Sequence, residues 1–304
     1  MNESRILAVV VTYNRKQLLK ECLESLERQT MACDILVVDN ASTDGTGEWL
    51  KNERGDRVQY YNTGSNLGGA GGFSKGMREG VRRGYSYLWM MDDDTIPKSD
   101  ALEQIWKTSD LLSGNYGFLS SFVRWTDGSP CEMNVPGVSK KWREDIDRLP
   151  LGMLRVEYAS FVSLFLPASV IREVGLPIRQ FFIWADDMEY SLRISRRYPC
   201  YFVQGSQVVH KMKTNAATDI IQDESDRLDR YCLLFRNRLY VERKKGKGAA
   251  ILYFVYGVKT VFRILAHSQK NKGKKCRYVM SGLWKGIWFH PEIEFCEETD
   301  VNQE

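Results

Sequence analysis

The sequence predicts an α/β protein: a mostly parallel sheet flanked by helices, followed by a helical C-terminal extension. Three observations lead there. Short apolar, β-rich runs in residues 1–94 alternate with segments of helical periodicity, which is the pattern of parallel strands joined by right-handed crossovers. Each run ends in polar or glycine-rich residues, "TYNR", "VDNASTDG", "NTGSNLGGAGG" and "DDD" in turn. From about Asp223 onward the strand-like runs give way to long helical stretches, "RLDRYCLLFRNRLYVERKK" foremost.

The elements follow in order. "RILAVVVTY" (5–13) suits a strand buried on both faces. Asn14 is placed to cap a helix through "RKQLLKECLESLERQ", with Leu18, Leu19, Cys22, Leu23 and Leu26 as its apolar stripe. "CDILVVDN" (33–40) is a second strand and "ASTDGTGEWLKNE" a turn with a short helix. "RVQYYNTG" (57–64) is a third strand, and "NLGGAGGFSKGMREGVRRG" (66–84) a glycine-rich turn running into a helix. "YSYLWMM" (85–91) is the fourth strand. Asp100 and Glu103 have capping-box spacing for a helix to about Leu112. "YGFLSSFVRW" and "RVEYASFVSLFLP" read as strands separated by a long polar segment, 126–150, and a segment that long is functional or disordered as a rule. "YFVQGSQVVH" is a last strand ending at His210. These boundaries give a domain over 1–222, with a nucleotide-binding half (1–94) and an acceptor-binding half (95–222), and a helical region over 223–304.

Composition narrows the class. A chain of 304 residues that is 43% hydrophobic and 27% charged builds a substantial core and is not disordered. A net charge of +4 is too small to argue for nucleic acid. Seven cysteines without a CxxC pair point to free thiols in a reducing compartment, which places the protein in the cytoplasm. The N-terminal apolar run reads as a strand rather than a signal peptide. No run approaches the roughly 20 apolar residues of a membrane span; 249–267 comes closest and is interrupted by Lys259 and Arg263.

Ligands of parallel sheets sit at the carboxyl ends of the strands, where the polar punctuation falls here. The chain has no GxxxxGK[ST], and "GGAGG" follows the third strand without completing GxGxxG, so NTPase and dinucleotide designs are disfavoured. "WMMDDD" is more informative. Extended alternation would turn Asp92 and Asp94 one way and Asp93 the other, and two same-facing carboxylates form a hard oxygen site for Mn²⁺ or Mg²⁺. His210 would complete an Asp/His set. In "FFIWADDMEY" (181–190), Asp186, Asp187 and Glu189 follow aromatic and apolar residues, which fits either a general base or the acidic first turn of a helix.

Taken in order, "VVVTYNR", "VVDNASTDGT", "NLGGAGGF", "WMMDDD", "WADDMEY" and the terminal His210 resemble family 2 glycosyltransferases over about residues 5–215. "NLGGAGGF", "DDD" and "YCLLFRNRLY" look like the galactofuranosyltransferase and rhamnosyltransferase branch that builds bacterial surface polysaccharides such as O-antigen. The resemblance implies the GT-A fold, a Rossmann-like nucleotide-diphospho-sugar transferase architecture. It implies that Thr12, Asn14, Arg15 and Asp39 line the nucleotide pocket, with Asn66, Gly68 and Gly69 against the nucleotide and diphosphate. Asp92 and Asp93 would also lie at the nucleotide, Asp92, Asp94 and His210 would hold the metal, and Asp187 would be the base. Asp186, Glu189, Trp184, Tyr158 and Phe161 would meet acceptor or donor. The expected activity is inverting transfer of galactofuranose or rhamnose from a UDP- or dTDP-linked donor to a glycan or lipid-linked glycan. Rival readings are a nucleotidyltransferase, which would want a basic glycine-rich signature after the first strand, and a non-catalytic sugar-nucleotide or glycan-binding module. Oligomerisation is left open.

The C-terminal region adds one expectation. Residues 249–267 carry an apolar stripe with Lys259 and Arg263 on another side, basic clusters flank them, and "LWKGIWF" supplies interfacial tryptophans. That pattern fits helices lying on an anionic membrane surface, or helices that simply pack on the domain; the resemblance implies the cytoplasmic face of the inner membrane, where such enzymes often extend lipid-linked glycans.

Overall fold

The computed structural model describes residues 5–53 and 55–296; the outer ends of both predicted domains, 1–4 and 297–304, and Arg54 lie outside the described residues. The elements in order are β1 (Ile6–Thr12), α1 (Lys16–Glu27), β2 (Asp34–Asp39), α2 (Thr46–Glu53), β3 (Val58–Asn62), α3 (Gly68–Arg82) and β4 (Tyr87–Asp92). They continue with β5 (Thr95–Pro97), α4 (Ala101–Leu111), β6 (Leu119–Arg124), β7 (Gly137–Val138), β8 (Met153–Tyr158), β9 (Leu164–Pro167), α5 (Ala168–Val174), α6 (Asp186–Ser195) and β10 (Tyr201–His210). The chain closes on α7 (Arg230–Lys245), α8 (Lys247–His267) and α9 (Lys272–Trp288).

The strands form one ten-stranded sheet in the order β3-β2-β1-β4-β9-β6-β10-β8-β7, with β5 on the end of β10. The first four are wholly parallel, so Thr12, Asp39, Asn62 and Asp92 all emerge at the same edge. β9 runs antiparallel to both β4 and β6, which makes the second half mixed where the sequence implied a mostly parallel sheet. All seven residues of β1 are buried because both faces are covered. Ile6, Ala8 and Val10 join the cluster that holds Leu19, Cys22, Leu23 and Leu26 of α1. Leu7, Val9 and Val11 join Phe73 and Met77 of α3 on the other face. Each large side chain buried this way contributes roughly 1.5–3 kcal/mol. The glycines of α3 let that helix lie almost on the sheet: a Cβ at Gly76 would stand 2.3 Å from Val9 Cγ1.

Several expectations need correction. Asn14 does not cap α1; Arg15 stands at the cap position without a side-chain bond, and Asp44 accepts from the Lys16 N–H at 3.0 Å instead. The Asp100/Glu103 capping box does not form: Glu103 accepts from Thr30 Oγ1, and Asp100 accepts from Gln104. "RVEYASFVSLFLP" is two strands broken by a 3-10 turn at Phe161–Ser163, which places β8 and β9 at different positions in the sheet. Segment 126–150 is ordered, with two 3-10 helices and the short β7.

The C-terminal helices share a core of Tyr231, Phe235, Leu239, Ile264, Val279 and Leu283. Gly282 of α9 approaches α7 so closely that a Cβ would meet Cys232 O at 2.6 Å. On α8 only Gly257, Thr260 and Ile264 are buried. Lys259 and Arg263 do not occupy a separate polar side: they share the outward face with Leu252, Val255, Tyr256 and Phe262. Despite them, α8 is long and apolar enough to cross a membrane by length and composition, which corrects the view that no run qualifies.

Candidate active site

The site grows from the sharp reversal after β4. Asp92 is the last residue of that strand, Asp93 and Asp94 make a turn, and β5 then pairs antiparallel with β10 so that Thr95 faces His210. This register brings the imidazole beside Asp94: His210 Nε2 lies 3.0 Å from Asp94 Oδ1. One ligand atom from each of Asp92, Asp94 and His210 falls within 4.8 Å of the others, an arrangement that could hold a divalent cation. The pairing of Asp92 with Asp94 therefore arises from a turn, not from the strand alternation the sequence implied.

The donor set fits such a cation. Asp94 Oδ1 is buried and has no aligned hydrogen-bond partner, although the imidazole nitrogen is within ion-pair distance. The other ring nitrogen, Nδ1, is 2.8 Å from Asn134 Oδ1, and Asn134 Nδ2 donates to Ser160 Oγ, which fixes the amide and leaves Nε2 facing the carboxylates. Asp93 turns away from this group. It accepts from Thr12 Oγ1 at 2.7 Å and from Arg15 Nη1 at 3.3 Å, and Arg15 also donates to Asp94 Oδ2 at 2.6 Å.

Charge follows the geometry. Burial and the neighbouring Asp94 push Asp92 up to about 7. Burial raises Asp93 to about 6 against the pull of Arg15. Burial also opposes ionisation of Asp94, yet His210 and Arg15 together hold it below the usual carboxylate range. For His210 burial alone would lower the value, but the Asp94 contact, Cys131 and the Asp94 and Asp92 charges outweigh it and carry the imidazole up to about 10. The three carboxylates are tolerated side by side because Arg15 and a protonated His210 oppose them.

The residues expected at the nucleotide sit in the adjoining loops. Asp39 accepts from the Ser42 N–H and the Tyr60 hydroxyl, each at 2.9 Å. Asn14, at φ 54°, ties the two loops together by accepting from the Thr43 N–H at 2.7 Å. Asn66 accepts from the Gly68 N–H, and Gly69 follows in the first turn of α3. Gly68 must be glycine: its φ is 69°, and a Cβ would stand 2.1 Å from Phe182 O.

That carbonyl belongs to the second acidic group. Asp186 and Asp187 open α6, where unsatisfied N–H groups favour negative charge. Burial raises Asp187 to about 6, the Met188 N–H and the Arg238 charge pulling the other way. Asp186 is raised well above the ordinary value by burial and by the Asp187 charge, and the Asp92 charge acts in the same direction. Glu189 departs from the expected role at a hydroxyl. Both its oxygens accept from Arg193, whose guanidinium also holds the carbonyls of Val174 and Leu176. Phe161 is likewise a core residue, 3% exposed and packed between Phe73 and Tyr190, because the 3-10 turn rotates it inward. Tyr158 is half-buried over Gly137, and Trp184 packs against Tyr231 of α7 at 5.3 Å.

Sequence reasoning missed several participants. Asn134 lies in the segment read as a long loop, and nothing local marks it. Arg230 and Arg238 of α7 reach Arg15 and Asp187 electrostatically, and Asn237 is fully buried beneath the Asp186–Asp187 loop. The only advance signal for Asn237 was an amide within the apolar stripe of "YCLLFRNRLY". A cleft of about 230 Å³ beside α3 is lined by Asn66, Lys75, Arg78, Arg179, Phe182 and Glu294, so it adjoins the Asn66–Gly68 loop.

Residues 7–111 match the family model described as glycosyl transferase family 2. Among curated relatives, a galactofuranosyltransferase GlfT1 of Mycolicibacterium smegmatis is 35% identical over 207 residues, 63% of this chain and 65% of its own. GlfT1 of Mycobacterium tuberculosis is 29% identical over 214 residues, 64% of this chain and 66% of its own. An undecaprenyl-phosphate mannosyltransferase of Micrococcus luteus is 35% identical over 118 residues, 36% of this chain and 48% of its own. The chain thus spans about half to two thirds of the length of the curated relatives it matches. Among solved structures, S. aureus TarS 1–349 superposes with a TM-score of 0.55 at 14% identity, covering 94% of this chain and 72% of that one. GalNAc-T7 with UDP, GalNAc and Mn²⁺ gives 0.60 at 12% identity, covering 91% and 55%. The chain has the GT-A fold, and its residues 7–111 are a glycosyl transferase family 2 domain.

Proposed function

We propose that this chain is an inverting, divalent-metal-dependent glycosyltransferase that moves a sugar from a nucleotide-diphosphate donor to a glycan or lipid-linked glycan in bacterial surface-glycan synthesis. The observation that carries it is the meeting of Asp92, Asp94 and His210 at the edge where the four parallel strands end, within electrostatic reach of Asp186. Asp92, Asp94 and His210 would hold Mn²⁺ or Mg²⁺, which when bound supplies positive charge for the departing diphosphate. Asp39 and the loops at Thr12–Arg15 and Asn66–Gly69 would seat the nucleotide.

Asp187, raised to about 6, is ionised at neutral pH yet basic enough to accept the proton of an acceptor hydroxyl. That oxygen would attack the anomeric carbon as the bond to the diphosphate breaks, so configuration inverts and no covalent enzyme intermediate forms. Asp186, raised by burial and by the charge of Asp187, would meet a sugar hydroxyl beside the base. Galactofuranose leads as the donor sugar and UDP as its carrier. Support comes from the GlfT1 relatives and from the UDP and Mn²⁺ named for GalNAc-T7, and rhamnose stands behind it. The outward face of α8, with Trp284 and Trp288 of α9 at 64% and 68% exposure, would rest on anionic lipid at the cytoplasmic membrane face, with Lys259 and Arg263 reaching for headgroups.

The test is a thermal-shift screen of UDP-, dTDP- and GDP-sugars with and without Mn²⁺, followed by release of nucleotide in the presence of glycan acceptors. Metal-dependent stabilisation by one donor and acceptor-dependent release of its nucleotide are expected. Binding without release in any pairing would favour a sugar-nucleotide-binding module and overturn the transferase reading.

A further inference from the structure

We infer that Asn237, on α7 and outside the segment matched by the family model, is the positioning residue for Asp187. The inference rests on the reading of Asp187 as the base.

The loop before α6 has an uncommon backbone. Phe182, Trp184 and Ala185 all have positive φ, at 64°, 66° and 65°, and none is glycine. Such side chains rarely hold that conformation without outside support. The three turns swing the carbonyls of Phe181, Ile183 and Trp184 toward a common point, and Asn237 Nδ2 occupies it at 3.0, 3.0 and 2.9 Å. The amide is held in that sense from behind: its Oδ1 accepts from Arg236 Nε at 2.9 Å, and Arg236 Nη2 donates to Gln180 O at 2.6 Å. Asn237 is 0% exposed, so water does not compete for its amide.

The chemistry fits an asparagine and little else. Leucine offers no donor, aspartate would turn a negative oxygen on three carbonyls, and glutamine carries its amide one methylene too far. Ala185 is the cap residue of α6, and Asp186 and Asp187 follow it directly. The loop therefore sets the direction in which α6 starts, and with it the aim of the Asp187 carboxylate. A plain tether between α7 and the rest of the molecule would need no such convergence on the residues just ahead of the base.

The experiment uses the full chain, with Asn237→Gln, Asn237→Leu, Asp187→Asn and the double variant Asp187→Asn/Asn237→Gln. Turnover is read as released nucleotide with the donor and acceptor found in the screen, UDP–Mn²⁺ affinity by calorimetry, and local opening by amide exchange. Asn237→Gln should lower kcat by about ten- to a hundredfold, a fraction of what removal of a general base costs, with donor KM within about threefold. UDP–Mn²⁺ affinity should stay at the wild-type value. Exchange should quicken across 180–188 and not across 228–288. The double variant should be no slower than Asp187→Asn alone, because a residue that acts through the base has nothing left to act on. Asn237→Leu should show the same pattern more strongly, and if it does not fold, Asn237→Gln carries the test. Losses that multiply in the double variant, a wild-type kcat in Asn237→Gln, or exchange that rises through 228–288 would overturn the inference. An active Asp187→Asn would instead sink the base assignment, a separate failure from an inactive Asp187→Asn with active Asn237 variants.

Discussion

The metal site makes a prediction that needs no knowledge of the sugar. In the metal-free protein His210 titrates near 10, so at pH 7 the imidazole carries a proton that any cation on Nε2 must displace. Three pH units separate those values, so about one imidazole in a thousand is neutral and the apparent affinity is lowered by about 4 kcal/mol. Mn²⁺ binding should therefore release about one proton per ion and tighten about tenfold per pH unit from 7 to 8.5. Below about pH 7 Asp92 also becomes protonated, and the slope should steepen toward two. The assay is titration calorimetry with Mn²⁺ alone in two buffers of different ionisation enthalpy, because the buffer difference reads the protons directly. His210→Gln should bind more weakly and lose the proton release above pH 7. An affinity independent of pH with no proton released in the wild type would refute His210 as a ligand, whatever the fate of the transferase reading.

Asp187→Asn should lower turnover by about a hundredfold or more with donor binding near normal, checked by steady-state release of nucleotide. Asp94→Ala should remain folded and lose the Mn²⁺-dependent thermal stabilisation by UDP, because Asp94 supplies both the open oxygen and the contact to His210. Without metal, the stability due to His210 is full below its unfolded value of 6.5 and is lost as pH rises through about 10; melting in chelator should fall across that window, and His210→Gln should flatten the fall. Gly68→Ala should cost about 2 kcal/mol or more in denaturant melts, since neither the backbone angle nor the Phe182 carbonyl can give way cheaply. Leu252→Asp with Phe262→Asp, at 72% and 67% exposure, should leave melting unchanged and abolish cosedimentation with anionic liposomes at low salt.

The parallel half was legible because its signals are local. β1 to β4 are apolar runs with short polar ends, and in parallel pairing all those ends must share one edge. The structure brings Asp92, Asp94 and His210 together, although the turn at Asp93–Asp94 is not visible in the residues themselves; it is imposed when β5 pairs back onto β10. Helix starts were poorly legible because the polar side chains at them bond across loops, as Asn14 does to Thr43 and Glu103 to Thr30. Phe161 and Glu189 were misplaced for a similar reason. A 3-10 turn and a nearby arginine, both set by tertiary packing, decided where their side chains point. What Asn237 bonds could not be read from its amide alone, because its partners are backbone carbonyls more than fifty positions away.

The grip of α7 on the loop ahead of α6 has a consequence for protein engineering. Residues 7–111, the segment the family model matches, leave out both the acidic pair at Asp186–Asp187 and residues 236–237, which hold the loop ahead of it. A chimera joined near residue 215, between that loop and α7, would pair one parent's loop with another parent's clamp. Functional hybrids among relatives should therefore cluster at crossovers that keep 179–187 and 230–245 from the same parent, and a shuffled library selected for activity would reveal that linkage as co-inheritance of the two segments.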